Sequence, residues 1–162
     1  MARVNVFLER LTETLLVIAM LALIFCTGAQ VVGRFILKVP FMWTEEGSRY
    51  CFIWIALLGT AIGVRDKSHF VIDLLSSVLP RGPKLALEVF VHIIMWIVAL
   101  VLLIAGFQYA QRASIMRSAS MGMSMVYVYG SAPLSGLLMV CFLAEQAPEI
   151  IARLRGRGGV RA

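Results

Sequence analysis

Two clusters of charged side chains and one histidine are the places in this sequence where chemistry could reside. Thr44-Glu45-Glu46-Gly47-Ser48-Arg49 sets two carboxylates and a guanidinium among small residues. Glu45 and Arg49 stand four apart, so on a helix they pair along one face. Thr44 is suited to cap that helix, with both glutamates in the first turn, where the helix dipole favours negative charge. The same cluster also suits a docking surface for a partner protein. Arg65, Lys67, His69 and Asp73 form the second group. They read as a positive-inside anchor plus the polar face of an interfacial helix; contact with a partner or with lipid headgroups is the alternative.

Catalysis finds little else to work with. There is no nucleophile set beside a base, no phosphate-cradling loop and no metal-ligand spacing, and Cys26, Cys51 and Cys141 are odd in number and fall within or beside apolar runs. His92 lies in an apolar stretch and is of the type that ligates haem. A bis-histidine haem needs a second ligand at matching depth, and the other histidine, His69, belongs to the second cluster. A histidine satisfied inside a helix bundle is the better reading. Glu9, Glu13, Glu88, Glu145 and Glu149 lie near the ends of apolar runs, so no proton relay is visible. The sequence therefore implies no enzyme and no cofactor.

The elements that position these clusters are membrane spans. Of 162 residues, 60% are hydrophobic and 15% charged, whereas soluble domains carry about 25% charge. A transmembrane helix needs about 20 mostly apolar residues, and the chain offers four such stretches, about 14–35, 44–64, 85–109 and 125–143. Gly130 and Pro133 predict a kink in the last, which bundle neighbours can tolerate. Between spans two and three, residues 68–79 place Phe70, Val71, Leu74, Leu75, Val78 and Leu79 at helical spacing, with His69 and Asp73 on the opposite face. This predicts a short amphipathic helix lying in the interface. Residues 108–124 read as a loop with a helical start, and residues 150–162 as a basic tail. The expected fold is thus all-α: one membrane domain of four spans plus an interfacial helix, with the first apolar run too long for a cleaved signal segment.

The net charge of +6 comes from basic residues at the ends of apolar runs, a pattern of membrane orientation rather than of nucleic-acid binding. Ten of the fifteen lie with the two termini and the 65–84 segment, and five lie on the other side. The positive-inside rule then predicts both termini in the cytoplasm. Trp43, Tyr50, Tyr109, Tyr127 and Tyr129 fall at the predicted outer ends, as an aromatic belt would. Gly59 with Gly63, and Ala132 with Gly136, have the small-x-x-x-small spacing that lets membrane helices approach closely.

The residues Trp43-Thr44-Glu45-Glu46, Arg49-Tyr50, Trp54, Leu58-Gly59, Arg65, His69 and Ile72-Asp73-Leu74-Leu75, spread over a chain of four spans, resemble the small membrane subunit of tripartite ATP-independent periplasmic transporters. The resemblance implies a scaffold in the bacterial inner membrane, supporting a large membrane subunit in sodium-coupled uptake of an organic acid that a periplasmic binding protein delivers. It further implies an unfused small subunit, with Glu45, Glu46 and Arg49 serving the outer side and Arg65, His69 and Asp73 the cytoplasmic side. From the residues alone, two rivals stay open: a membrane anchor of a redox enzyme, resting on His92, and a self-contained small transporter.

Overall fold

The computed structural model describes residues 2–39, 41–66 and 81–154. The interfacial helix expected over 68–79, with His69 and Asp73, lies outside the described residues, as does the end of the basic tail. Four helices are long and apolar enough to cross a membrane, and each outruns the apolar stretch that predicts it. Helix α1 runs Ala2–Val32 and continues as a π-helical turn, Gly33–Leu37. Its 31 residues extend about 46 Å at 1.5 Å per residue, well beyond a hydrocarbon core of about 30 Å. Helix α2 is Met42–Arg65 and α3 is Arg81–Arg112. A short helical turn, α4 (Val126–Tyr129), precedes α5 (Ser131–Leu154).

One expectation needs correction and two gain detail. Helix α2 begins before Thr44, with Phe41 at the cap position. Thr44 instead lies in the first turn, fully buried, and its hydroxyl donates to the Phe41 carbonyl at 2.6 Å. The kinked fourth span is two helices parted at Gly130, with Pro133 in the first turn of α5, where a missing N–H leaves no helical bond unmade. The 108–124 loop is more ordered than polarity alone suggests. Helix α3 persists to Arg112, a 3-10 turn covers Ala113–Ile115, and an antiparallel bridge between Arg117 and Ser124 closes a hairpin around Gly122, whose φ is 66°.

The spans line up as a row: α1 packs on α2, α2 on α5, and α5 on α3, with no substantial packing of α3 on α1 or α2 among the described residues. Helix α5 is the most buried of the four and α1 the least. The core joins Leu58, Ala61 and Val64 of α2 to Ala99 of α3 and to Leu138, Met139, Phe142 and Leu143 of α5. The α3–α5 seam depends on absent side chains. A Cβ at Gly136 would lie 2.5 Å from the Leu103 nitrogen, and one at Gly106 would lie 3.0 Å from Ala132 Cβ. Phe7, Ile18, Leu21, Ile24 and Phe25 of α1, with Phe90, Ile97, Val101 and Ile104 of α3, remain exposed, a surface matched to lipid tails.

Candidate functional site

Helix α2 carries the first charged cluster at its N-terminal end and Arg65 of the second at its C-terminal end, while Lys67, His69 and Asp73 lie outside the described residues; different elements meet the two ends. At its N-terminal end the hairpin folds over Glu46. Ser118 Oγ donates a short hydrogen bond to the Glu46 carboxylate, and the backbone N–H groups of Ala119 and Ser120 donate to Oε1 at 3.1 and 3.4 Å. Ser120 Oγ also reaches the Met42 carbonyl at 3.4 Å. A carboxylate that gathers several N–H and O–H donors makes charge-assisted bonds stronger than neutral ones, so Glu46 fastens the hairpin to the start of α2.

Its sequence neighbours do something else. Glu45 and Arg49 pair at 3.5 Å across one helical turn, each 65% exposed, and such pairs contribute little to stability. Around them the aromatic residues join helix to helix. Trp54 Nε1 donates to the Tyr127 carbonyl at 3.0 Å, the Tyr50 hydroxyl contacts Met125 Sδ at 3.7 Å, and Tyr109 and Tyr129 stack edge to face at 4.7 Å.

At the other end of α2, Arg65 is the hub. Its Nη1 donates to Glu145 Oε2 on α5 at 2.8 Å and its Nε to Glu9 Oε2 on α1 at 3.2 Å. The guanidinium also lies 5.8 Å from the centre of the Phe142 ring, a cation–π placement. Asn5 Nδ2 donates to Glu145 at 2.6 Å and to the Cys141 carbonyl at 3.3 Å. Gln146 Nε2 donates to the Val64 and Arg65 carbonyls at 2.9 and 3.4 Å, supplying donors to the last turn of α2, whose carbonyls have no helical partner. Arg65 also sits where the helix dipole favours a cation.

Of the residues singled out in the sequence, Glu45 with Arg49 and Arg65 with carboxylates are thus brought into ion pairs. Glu46 departs from its neighbours and faces inward to the hairpin. The partners Asn5, Glu9, Glu145, Gln146 and Ser118 were not selected by sequence reasoning. Each lies 56 residues or more along the chain from the group it meets, and only the type of Glu9 and Glu145, carboxylates at span ends, hinted at them.

The two small-residue pairs also diverge. Ala132 and Gly136 face α3 in close contact, whereas a Cβ at Gly59 or Gly63 would meet nothing within 4 Å. Among the described residues α2 meets α1 and α5 through other residues than Gly59 and Gly63, including Gly47 beside Cys26 and, from α5, Ser135, whose hydroxyl donates to the Leu57 carbonyl at 2.6 Å.

His92 accepts a hydrogen bond from Trp96 Nε1 on its Nε2 at 3.2 Å, so that lone pair is engaged one turn along its own helix. Among the described residues no three of His, Cys, Asp or Glu gather as a metal site. Glu45, Glu46 and Arg49 at one end of α2 and Arg65 with Glu9 and Glu145 at the other are joined by a stretch of α2 that carries no Asp, Glu, Lys or Arg. This arrangement can bind elements together.

Comparison with known proteins places the chain in a family. Residues 23–153 match the family model described as tripartite ATP-independent periplasmic transporters, DctQ component. The sialic acid TRAP transporter small permease protein SiaQ of Vibrio cholerae is 28% identical over 149 residues, which make up 92% of this chain and 86% of that protein. The sialic acid TRAP transporter permease protein SiaT of Haemophilus influenzae is 25% identical over 112 residues, 69% of this chain but 18% of SiaT. The C4-dicarboxylate TRAP transporter small permease protein DctQ of Vibrio cholerae is 30% identical over 79 residues, 49% of this chain and 34% of that protein.

Proposed function

The chain belongs to the DctQ-component family of tripartite ATP-independent periplasmic transporters, and from that membership we propose that it is the small scaffold subunit of such a transporter. It supports a large membrane subunit in sodium-coupled uptake of an organic acid delivered by a periplasmic binding protein. It sits in the bacterial inner membrane with both termini cytoplasmic, so the hairpin end of α2 faces outward and the Arg65 end inward. The family is one of transporters and not of enzymes.

The observation that carries this reading is the placement of charge. A subunit that moved an ion and an acid by itself would need polar ligands near the bilayer midplane, where each charged residue costs about 2.5–3.5 kcal/mol on insertion scales. Here Arg65 with Glu9 and Glu145, and Glu46 at the opposite end of α2, hold helices and a hairpin in place. The transporting residues then belong to the partner. The SiaT relative supports such a pairing, since the stretch similar to this chain is a minor part of a longer permease protein.

On this proposal Glu45 and Arg49, exposed beside the braced hairpin, meet the large subunit or the binding protein. Affinity purification from the native membrane tests it: a larger polytopic permease should copurify in fixed proportion, and purification of the chain without any such partner would overturn it. Charge reversal of Glu45 and Arg49 together should weaken copurification or uptake while leaving the subunit folded; unchanged binding and uptake would remove that surface from the proposal.

A further inference from the structure

The first third of α1 has an inverted pattern. Residues 5–13 precede the apolar stretch that needs the bilayer, yet they continue the helix, with Asn5 bonded to α5 and Glu9 to α2. Their inward positions are polar: Asn5 is 6% exposed and Thr12 2%, while Phe7 and Leu11 point outward at 65% and 46%. The Thr12 hydroxyl turns back to the Leu8 carbonyl of its own helix, leaving Leu8 as the apolar side chain of this segment that packs toward the core. Apolar burial is therefore a weak hold here, and what ties the segment down is the Arg65 cluster.

We propose that Asn5 to Glu13 form a strap across the end of the row, latched by Arg65, with Glu145 the principal catch and Glu9 the secondary one. Glu145 earns the ranking by geometry. One of its oxygens takes both Arg65 Nη1 at 2.8 Å and Asn5 Nδ2 at 2.6 Å, so it binds α2 and α1 to α5 at a single atom, whereas Glu9 takes Arg65 Nε alone at 3.2 Å. Without the guanidinium, the two carboxylates it joins face each other across the α1–α5 gap and repel. The strap then swings off, uncovering Cys141 and Glu145 of α5 while the hairpin end, held by Glu46, stays closed. The latch is a property of this chain and stands whether or not the transporter assignment holds.

Amide hydrogen exchange on the full chain in lipid nanodiscs tests this directly, because local opening is read as loss of protection. Arg65→Gln should speed exchange over residues 5–13 about tenfold or more, in line with loss of hydrogen bonds to charged groups, with residues 116–125 unchanged. Glu145→Gln should have the larger effect of the two carboxylate changes and Glu9→Gln the smaller. Arg65→Glu combined with Glu145→Arg should recover part of the protection. The proposal is overturned by unchanged exchange at 5–13 in Arg65→Gln, by loosening that extends equally to the hairpin, by Glu9→Gln matching Glu145→Gln, or by a charge-exchanged pair no more protected than Arg65→Gln.

Discussion

The two ends of α2 solve the same problem with opposite charges and different targets. At one end a carboxylate, Glu46, holds a loop by its backbone N–H groups and a serine. At the other a guanidinium, Arg65, holds two helices by their carboxylates, with the three side chains 20–25% exposed. The difference follows from what each end must secure. Backbone N–H groups of a tight hairpin have no helical partner and suit an anion, whereas helix ends carrying glutamates suit a cation that can donate in several directions, as the planar guanidinium does. One end thus shapes a surface, and the other fastens spans.

The joint between α3 and α5 underlies both ends, and breaking it should have the largest effect. Gly136→Ala places a methyl 2.5 Å from a backbone nitrogen that cannot retreat, and should destabilise the subunit by about 3 kcal/mol, seen as a lower thermal transition in detergent and poor recovery. Next comes Arg65→Gln, which leaves the Glu9 and Glu145 carboxylates without their shared cation. A deeply buried pair broken on one side costs about 3–5 kcal/mol, and partial exposure reduces this to about 1–3 kcal/mol, measured by the same transition. Glu46→Gln should act more locally: proteolysis or exchange within 116–125 rises while the Arg65 end is unaffected, and equal loosening at both ends would erase the distinction between them. At the bottom of the scale, Glu45→Gln should change stability by less than about 0.5 kcal/mol, because its pair with Arg49 is open to solvent. Gly59→Ala, on an open face, should stabilise the isolated chain by up to about 1 kcal/mol through helix propensity.

Much of this architecture was legible in the sequence because bilayer thickness imposes itself on composition. The four apolar stretches were found, and so was the Glu45–Arg49 pair, whose spacing is local. Helix ends were not, since hydropathy marks where lipid stops rather than where hydrogen bonding stops: α1 begins at Ala2 and α5 continues to Leu154 through polar residues that other helices satisfy. The Arg65 cluster was half visible. Arg65 was singled out for its place at a span end, but Glu9 and Glu145 lie 56 and 80 residues away and no periodicity links them to it. Glu46 looked like its neighbour Glu45, and only the fold of the hairpin separates an internal brace from a surface charge. The glycine spacing was equally ambiguous. Gly59 and Gly63 satisfy the same rule as Ala132 and Gly136, yet among the described residues only the second pair meets a neighbouring helix closely.

On the proposed function, this subunit holds a transporter together without moving solute itself. The most direct measurement is uptake of a labelled organic acid into proteoliposomes under an inward sodium gradient, with the binding protein present, comparing this chain alone, the large subunit alone and the two together. Uptake by the pair and none by this chain is expected. Gradient-driven uptake by this chain alone would contradict the proposal.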